Sequence, residues 1–177
     1  MVTNLIHIER AVCNDAQLIA DLSSATFIET YRGMCTDDDL VQFINKCFNQ
    51  QAIEKELQDM NDFYFIAFVE GVPAGYMRLK EDYDDLISIK KYKAIALKRI
   101  YVLQEYQHAN VGTTLMNYAL QFAAEKNYQV LWLGVYEENK KAKNFYNKFE
   151  FKDTGEKAIF KIGNTAQTDN WLIKFIG

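Results

Sequence analysis

Residues 130–135 read VLWLGV, apolar throughout apart from one glycine. A run this short is a strand, and one without alternation is covered on both faces, as inside a sheet with layers on either side. The stretch before it, 111–126, has apolar residues at 111, 115, 118, 119, 122 and 123, the spacing of one helix face. Residues 140–149 after it are also helical in pattern, and residues 97–103 (LKRIYVL) read as a strand. This strand–helix–strand–helix order demands a layered domain with its core on both sides of a sheet.

The first half is patterned differently. Residues 6–12 (IHIERAV) alternate and predict a first strand. Asn14 and Asp15 offer an N-cap to a helix carrying Leu18, Ile19 and Leu22. Residues 36–39 (TDDD) form a capping sequence that opens a second helix with Leu40, Phe43 and Ile44. A third helix is expected over 51–60. Residues 63–69 (FYFIAFV) and 75–80 (GYMRLK) flank a turn at 70–73 and predict a hairpin. Residues 81–93 are polar and predict a loop or irregular insert, and a final hairpin is expected over 151–175. The expectation is an α+β domain with a mixed, mostly antiparallel central sheet flanked by helices, one domain over residues 1–177.

Composition narrows the function classes. The net charge of -4 speaks against a nucleic-acid partner, which calls for a basic face. No run is long enough to span a membrane as a helix, and the opening MVTNLIHIERA lacks the apolar core of a signal peptide. Three cysteines without CxxC spacing and only two histidines argue against a metal site. Reduced thiols in the cytoplasm are the simplest account of them.

The chemistry concentrates in the loop between residues 103 and 111. Residues 107–116 read QHANVGTTLM: a loop with Gly112 and Thr113 that opens a helix. A helix start leaves backbone N–H groups without partners and favours anions, so such a loop suits a phosphate. Two phosphate motifs fail. A Walker loop needs Gly-Lys-Ser/Thr, and a Rossmann loop needs further glycines and a later acidic residue.

A third motif fits. Gln107-x-x-Asn110-x-Gly112, followed by its helix, resembles motif A of the GNAT superfamily of N-acetyltransferases. Residues 139–151 (NKKAKNFYNKFEF) are similar to a second family motif, with Asn139, Ala142, Phe145, Tyr146 and Phe151 in place. The details RIYVL, WLGVYEEN and QTDNWLIK resemble the bacterial spermidine/spermine acetyltransferase branch.

The resemblance implies an enzyme that uses acetyl-CoA as co-substrate and acetylates an amine by direct attack on the thioester. Ile100, Tyr101 and Val102 would lie on a strand that splays from its neighbour and receives the pantetheine arm, much as an added strand is bound. Gln107, His108, Ala109, Asn110, Val111, Gly112 and Thr113 would hold the pyrophosphate. Asn139 and Lys141 would also contact the co-substrate, and Tyr146 would protonate the departing thiolate. Glu29 and Tyr31 fall where this fold often shapes the acceptor pocket. Asp37, Asp38 and Asp39 complement a helix dipole, and Asp82, Asp84 and Asp85 read as a solvated loop; either group would also suit a polyamine. Family members often dimerise through their C-terminal strands, so a homodimer is expected too.

Three departures from the family pattern stand out. Asn110 and Glu150 replace glycines, and Asn tolerates left-handed backbone better than most residues. Relatives of this branch often carry a glutamate before the Arg-Ile-Tyr-Val strand, where this chain has Ala96, Leu97 and Lys98. The base is therefore a water chain, another carboxylate, or absent. The acceptor is also open: a polyamine, or an amino acid, an aminoglycoside or a protein N-terminus. A domain that binds acetyl-CoA without catalysis is the remaining alternative.

Overall fold

The computed structural model describes residues 5–83 and 86–177. Its seven strands are β1 (Ile6–Arg10), β2 (Asp62–Val69), β3 (Val72–Lys80), β4 (Ala94–Val102), β5 (Val130–Tyr136), β6 (Lys152–Ile162) and β7 (Thr165–Phe175). They form one sheet in the order β1-β2-β3-β4-β5-β7-β6. Among the described residues, only β4 and β5 are parallel neighbours in this sheet, and every other strand pair is antiparallel. The five helices are α1 (Ala16–Tyr31), α2 (Asp37–Cys47), α3 (Gln50–Leu57), α4 (Val111–Glu125) and α5 (Lys140–Lys148). The α+β architecture expected from the sequence is therefore present.

Helices lie on both faces of the sheet. Val111, Leu115, Ala119 and Ala123 of α4 pack on Phe65, Met77, Ile95, Leu131 and Leu133. On the other face, Ile19 and Leu22 of α1 and Ile53 of α3 pack on Tyr64, Ile66 and Tyr76. Trp132 and Leu133 point to opposite layers, which is why residues 130–135 need no polar alternation. Each large side chain buried this fully contributes roughly 1.5–3 kcal/mol.

Local capping sets the helix starts. Thr36 accepts a hydrogen bond from the Asp39 amide at 3.1 Å, and Asn49 caps α3 through the Ala52 amide at 2.9 Å. Asp39 itself does more than complement a dipole. Its carboxylate accepts from the Asn164 amide (2.8 Å) and the Thr165 hydroxyl (2.9 Å), tying α2 to the turn between β6 and β7. These donors hold its carboxyl below the usual range. Gly163 allows the contact, because a Cβ there would stand 2.1 Å from Asp39 Oδ1. Asp37 and Asp38 remain exposed.

Two local expectations change. Strand β4 begins at Ala94 rather than at residue 97, because Ala94 and Ala96 are small enough to lie buried in the layer of Trp132 and Trp171. Residues 81–93 are also more than a polar loop. Leu86 and Ile89 are fully buried in that same layer, and Trp132 Nε1 donates to the Asp82 carbonyl at 2.8 Å. Glu156 accepts from the amides of Ile87 (3.0 Å) and Ser88 (3.2 Å), fastening the segment to β6. Asp82 pairs with Lys98 at 2.9 Å rather than with solvent. Asp84, Asp85 and the first four residues of the MVTNLIHIERA segment lie outside the described residues.

Candidate active site

Strands β4 and β5 are paired only at Ala94–Val130, Ile95–Leu131 and Ala96–Trp132 among the described residues. Beyond Ala96, β4 stays with β3 while β5 stays with β7. The sheet thus opens into a wedge between Leu97–Val102 on one side and Leu133–Tyr136 on the other. A bulge marks the parting. Arg78 pairs with Arg99 and Leu79 with Leu97, so Lys98 is an extra residue on β4. Gly75 keeps β4 close to β3 here, since a Cβ at that position would lie 2.5 Å from the Tyr101 carbonyl oxygen. Ile100, Tyr101 and Val102 all line this diverging half of β4, and all are partly buried.

The loop after β4 leads into α4 at the open end of the wedge. Helices α2, α3 and α5 each have an N-cap side chain that accepts from a first-turn amide, whereas the N-caps of α1 (Asp15) and α4 (Asn110) make no such bond. Asn110 has φ 62° and ψ 12°, the left-handed conformation that a glycine would adopt. Gln107, His108, Asn110 and Thr113 are exposed, with Ala109 and Gly112 partly covered and Val111 buried. The first turn of α4 therefore has no side-chain cap on its amides. Packing alone does not require glycine at 112, because a Cβ there would meet Phe145 at an ordinary 3.7 Å.

Helix α5 borders the other side of the loop. Asn139 caps it by accepting from the Ala142 amide at 3.0 Å. Lys141 Nζ donates to Gln107 Oε1 at 2.5 Å, and Gln107 Nε2 donates to the Val102 carbonyl at 3.3 Å. One chain of contacts so joins α5, the loop and the end of β4. Glu150 ends α5 with φ 62°, again left-handed where glycine is usual. Tyr146 is 9% exposed and packs against Phe145 and Phe151. Burial raises its hydroxyl above the ordinary tyrosine range, with a smaller push from Tyr31 across the sheet.

Tyr31, at the end of α1, lies close to Tyr101 and Gln167, and burial raises both tyrosines. The Glu29 carboxylate accepts from the Gln104 amide at 3.0 Å and so joins α1 to the loop after β4. Sequence reasoning missed Asp169 on β7. Its carboxylate acts electrostatically on Tyr31 and takes a hydrogen bond from Gln167 Nε2 at 3.2 Å. Burial pushes this carboxyl up to about 6. Only its place in the QTDNWLIK stretch marked it in the sequence, because the shift comes from residues distant along the chain.

A family model described as the acetyltransferase (GNAT) family matches residues 27–151. An uncharacterized N-acetyltransferase of Lactobacillus delbrueckii subsp. lactis is 32% identical over 154 residues, covering 86% of this chain and 87% of that protein. A spermidine N(1)-acetyltransferase of Thermoplasma acidophilum is 24% identical, over 83% of this chain and 88% of that one. In structure, the chain resembles a PaiA N-acetyltransferase from Thermoplasma acidophilum in complex with coenzyme A. The TM-score is 0.77 at 19% identity, with 97% and 99% of the two chains covered. The ribosomal-protein-S18-alanine N-acetyltransferase of Escherichia coli shares the fold at a TM-score of 0.70 and 14% identity, with 98% and 95% covered. The wedge, the uncapped helix and the two motifs thus sit within a chain that belongs to the GNAT family of N-acetyltransferases, whose co-substrate is acetyl-CoA.

Proposed function

We propose that the protein acetylates the primary amine of a small molecule, a polyamine first among the acceptor classes, with Tyr146 as general acid. The observation that carries this assignment is the parting of β4 and β5 after Ala96, with a buried tyrosine and an uncapped helix N-terminus beside it. The polyamine is supported by the Thermoplasma acidophilum spermidine acetyltransferase relative and by the Asp169 carboxylate at the wedge. Three free thiols support the cytoplasm as its compartment. The outer strand β6, with exposed Ile159, supports pairing of two copies at that edge.

The uncapped start of α4, from Asn110 to Thr113, suits a diphosphate, with Lys141 beside the loop as a cation. The backbone of Ile100, Tyr101 and Val102 suits the extended pantetheine arm. Asn139 meets that arm from the start of α5. Bound there, acetyl-CoA supplies the thioester carbonyl that the amine nitrogen attacks. A backbone N–H of diverging β4 stabilises charge developing on the carbonyl oxygen. Tyr146 stays protonated at neutral pH, because burial raises it. The same shift makes outright loss of its proton costly, so the hydroxyl gives its proton to sulfur as it regains one from nitrogen.

The test is an acetyl-transfer assay with polyamines, amino acids, aminoglycosides and N-terminal peptides, run beside calorimetric titration with acetyl-CoA. Transfer to spermidine or spermine is expected. Transfer to another class alone would move the acceptor assignment, and micromolar binding without transfer to any amine would leave a binding module.

A further inference from the structure

The wedge brings together a carboxylate that neither family motif contains. Asp169 Oδ1 accepts from Gln167 Nε2 at 3.2 Å. Its Oδ2 lies over Gly134, where a Cβ would stand 3.4 Å away. Gly134 belongs to the part of β5 that has left β4, so the carboxylate occupies the opened sheet rather than its closed half. Tyr31 lies within electrostatic reach of it from α1, and is in turn close to Tyr101 and within electrostatic reach of Tyr146. Its cross-strand neighbours are Tyr136 on β5 and Ala158 on β6. Lys157, next to Ala158, is engaged with Glu137 at 2.8 Å.

We infer that Asp169 is the base that takes the proton of the incoming ammonium group. This role rests on the acetyl transfer proposed above. The ammonium gives one proton to Asp169 Oδ2, which frees the nitrogen lone pair. The C–N bond then forms as the C–S bond breaks. Tyr146 passes its proton to sulfur and receives the second nitrogen proton. Asp169 finally releases its proton to water, so one ammonium and acetyl-CoA yield the amide, free coenzyme A and one proton. Burial keeps the carboxyl near 6, where a base working at neutral pH is effective.

The experiment compares wild type with Asp169→Asn and Asp169→Glu. For wild type, kcat/KM for the amine should fall as pH drops through about 6. In Asp169→Asn that limb should vanish, with kcat/KM at neutral pH lower by about a hundredfold. Asp169→Glu should restore part of the loss and the limb. Carbon-13 NMR of the protein without acetyl-CoA provides a second readout: a carboxyl titrating near 6 that is missing in Asp169→Asn. An unchanged limb in Asp169→Asn, or a loss confined to KM, would overturn the role. Wild-type protein that acetylates no amine would overturn the function itself, while transfer retained in full by Asp169→Asn would overturn only the base.

Discussion

Two polar clusters share one face of the sheet, and they differ in how fully they are paired. At one end, Arg78 meets Asp62 at 2.9 and 2.5 Å and Glu56 at 2.7 Å. Arg99 reaches Glu56 at 3.0 and 3.2 Å, and the Tyr64 hydroxyl bonds both Glu56 and Arg99. At the other end, the Asp169 carboxylate has one amide donor and a tyrosine cluster beside it. The rings of Tyr64, Tyr76 and Tyr101 connect the two, with centroids 6.3 and 6.0 Å apart. Buried charges that satisfy each other hold a fold in one arrangement, whereas a desolvated acid short of partners is poised for a proton. The first cluster is built as structure, and the second is where the proposed chemistry lies.

Breaking the first cluster should have the largest effect on stability. Asp62→Ala strips the buried Arg78 of its bidentate partner and should cost about 3–5 kcal/mol. Urea unfolding measures that loss, and turnover per folded molecule should stay at the wild-type level. Folded but inactive Asp62→Ala would dissolve the distinction between the clusters.

The second cluster should respond in the opposite direction. An acid whose folded pKa is raised contributes stability that is fully present below its unfolded value and lost as pH rises through the folded one. For Asp169 the window runs from about 4 to about 6. Asp169→Asn should therefore gain stability at pH 7, on the order of 1–2 kcal/mol once partial exposure is allowed for. Asp39 has the reverse sign. Its lowered carboxyl stabilises the fold above the unfolded pKa, and that contribution is lost as pH falls through the folded value. Thermal unfolding of wild type and Asp169→Asn between pH 4 and 7 should show the two curves diverging as pH rises.

The smallest effect is expected between the clusters. Tyr76 and Ser23 have buried hydroxyls without a partner at hydrogen-bond geometry among the described residues. Tyr76→Phe removes one of them and should change stability by less than about 1 kcal/mol in urea unfolding. A larger loss would make the tyrosine ladder part of the structural network.

Much of this layout was legible in the sequence because it rests on local chemistry. Residues 130–135, the α4 stripe and the caps Thr36 and Asn139 announce themselves through spacing and residue type. The left-handed Asn110 is legible for the same reason, as Asn is the residue that replaces glycine there most readily. What escaped depends on distant partners. Leu86 and Ile89 are single apolar residues in a charged stretch, and only Trp132 and Trp171 make them core. The bond from the Gln104 amide to Glu29 joins residues 75 positions apart, and nothing local marks it. Asp169 looks like any strand aspartate until β5 parts from β4 and the fold partly buries its carboxyl.

The central claim is that the opened wedge is where the acetyl group moves and that Tyr146 supplies the proton there. The most direct measurement is kcat together with the acetyl-CoA Kd for Tyr146→Phe and wild type, side by side. The account predicts a kcat lower by about a hundredfold or more, with Kd changed less than about threefold. Equal turnover in the two proteins would contradict it and remove Tyr146 from the reaction.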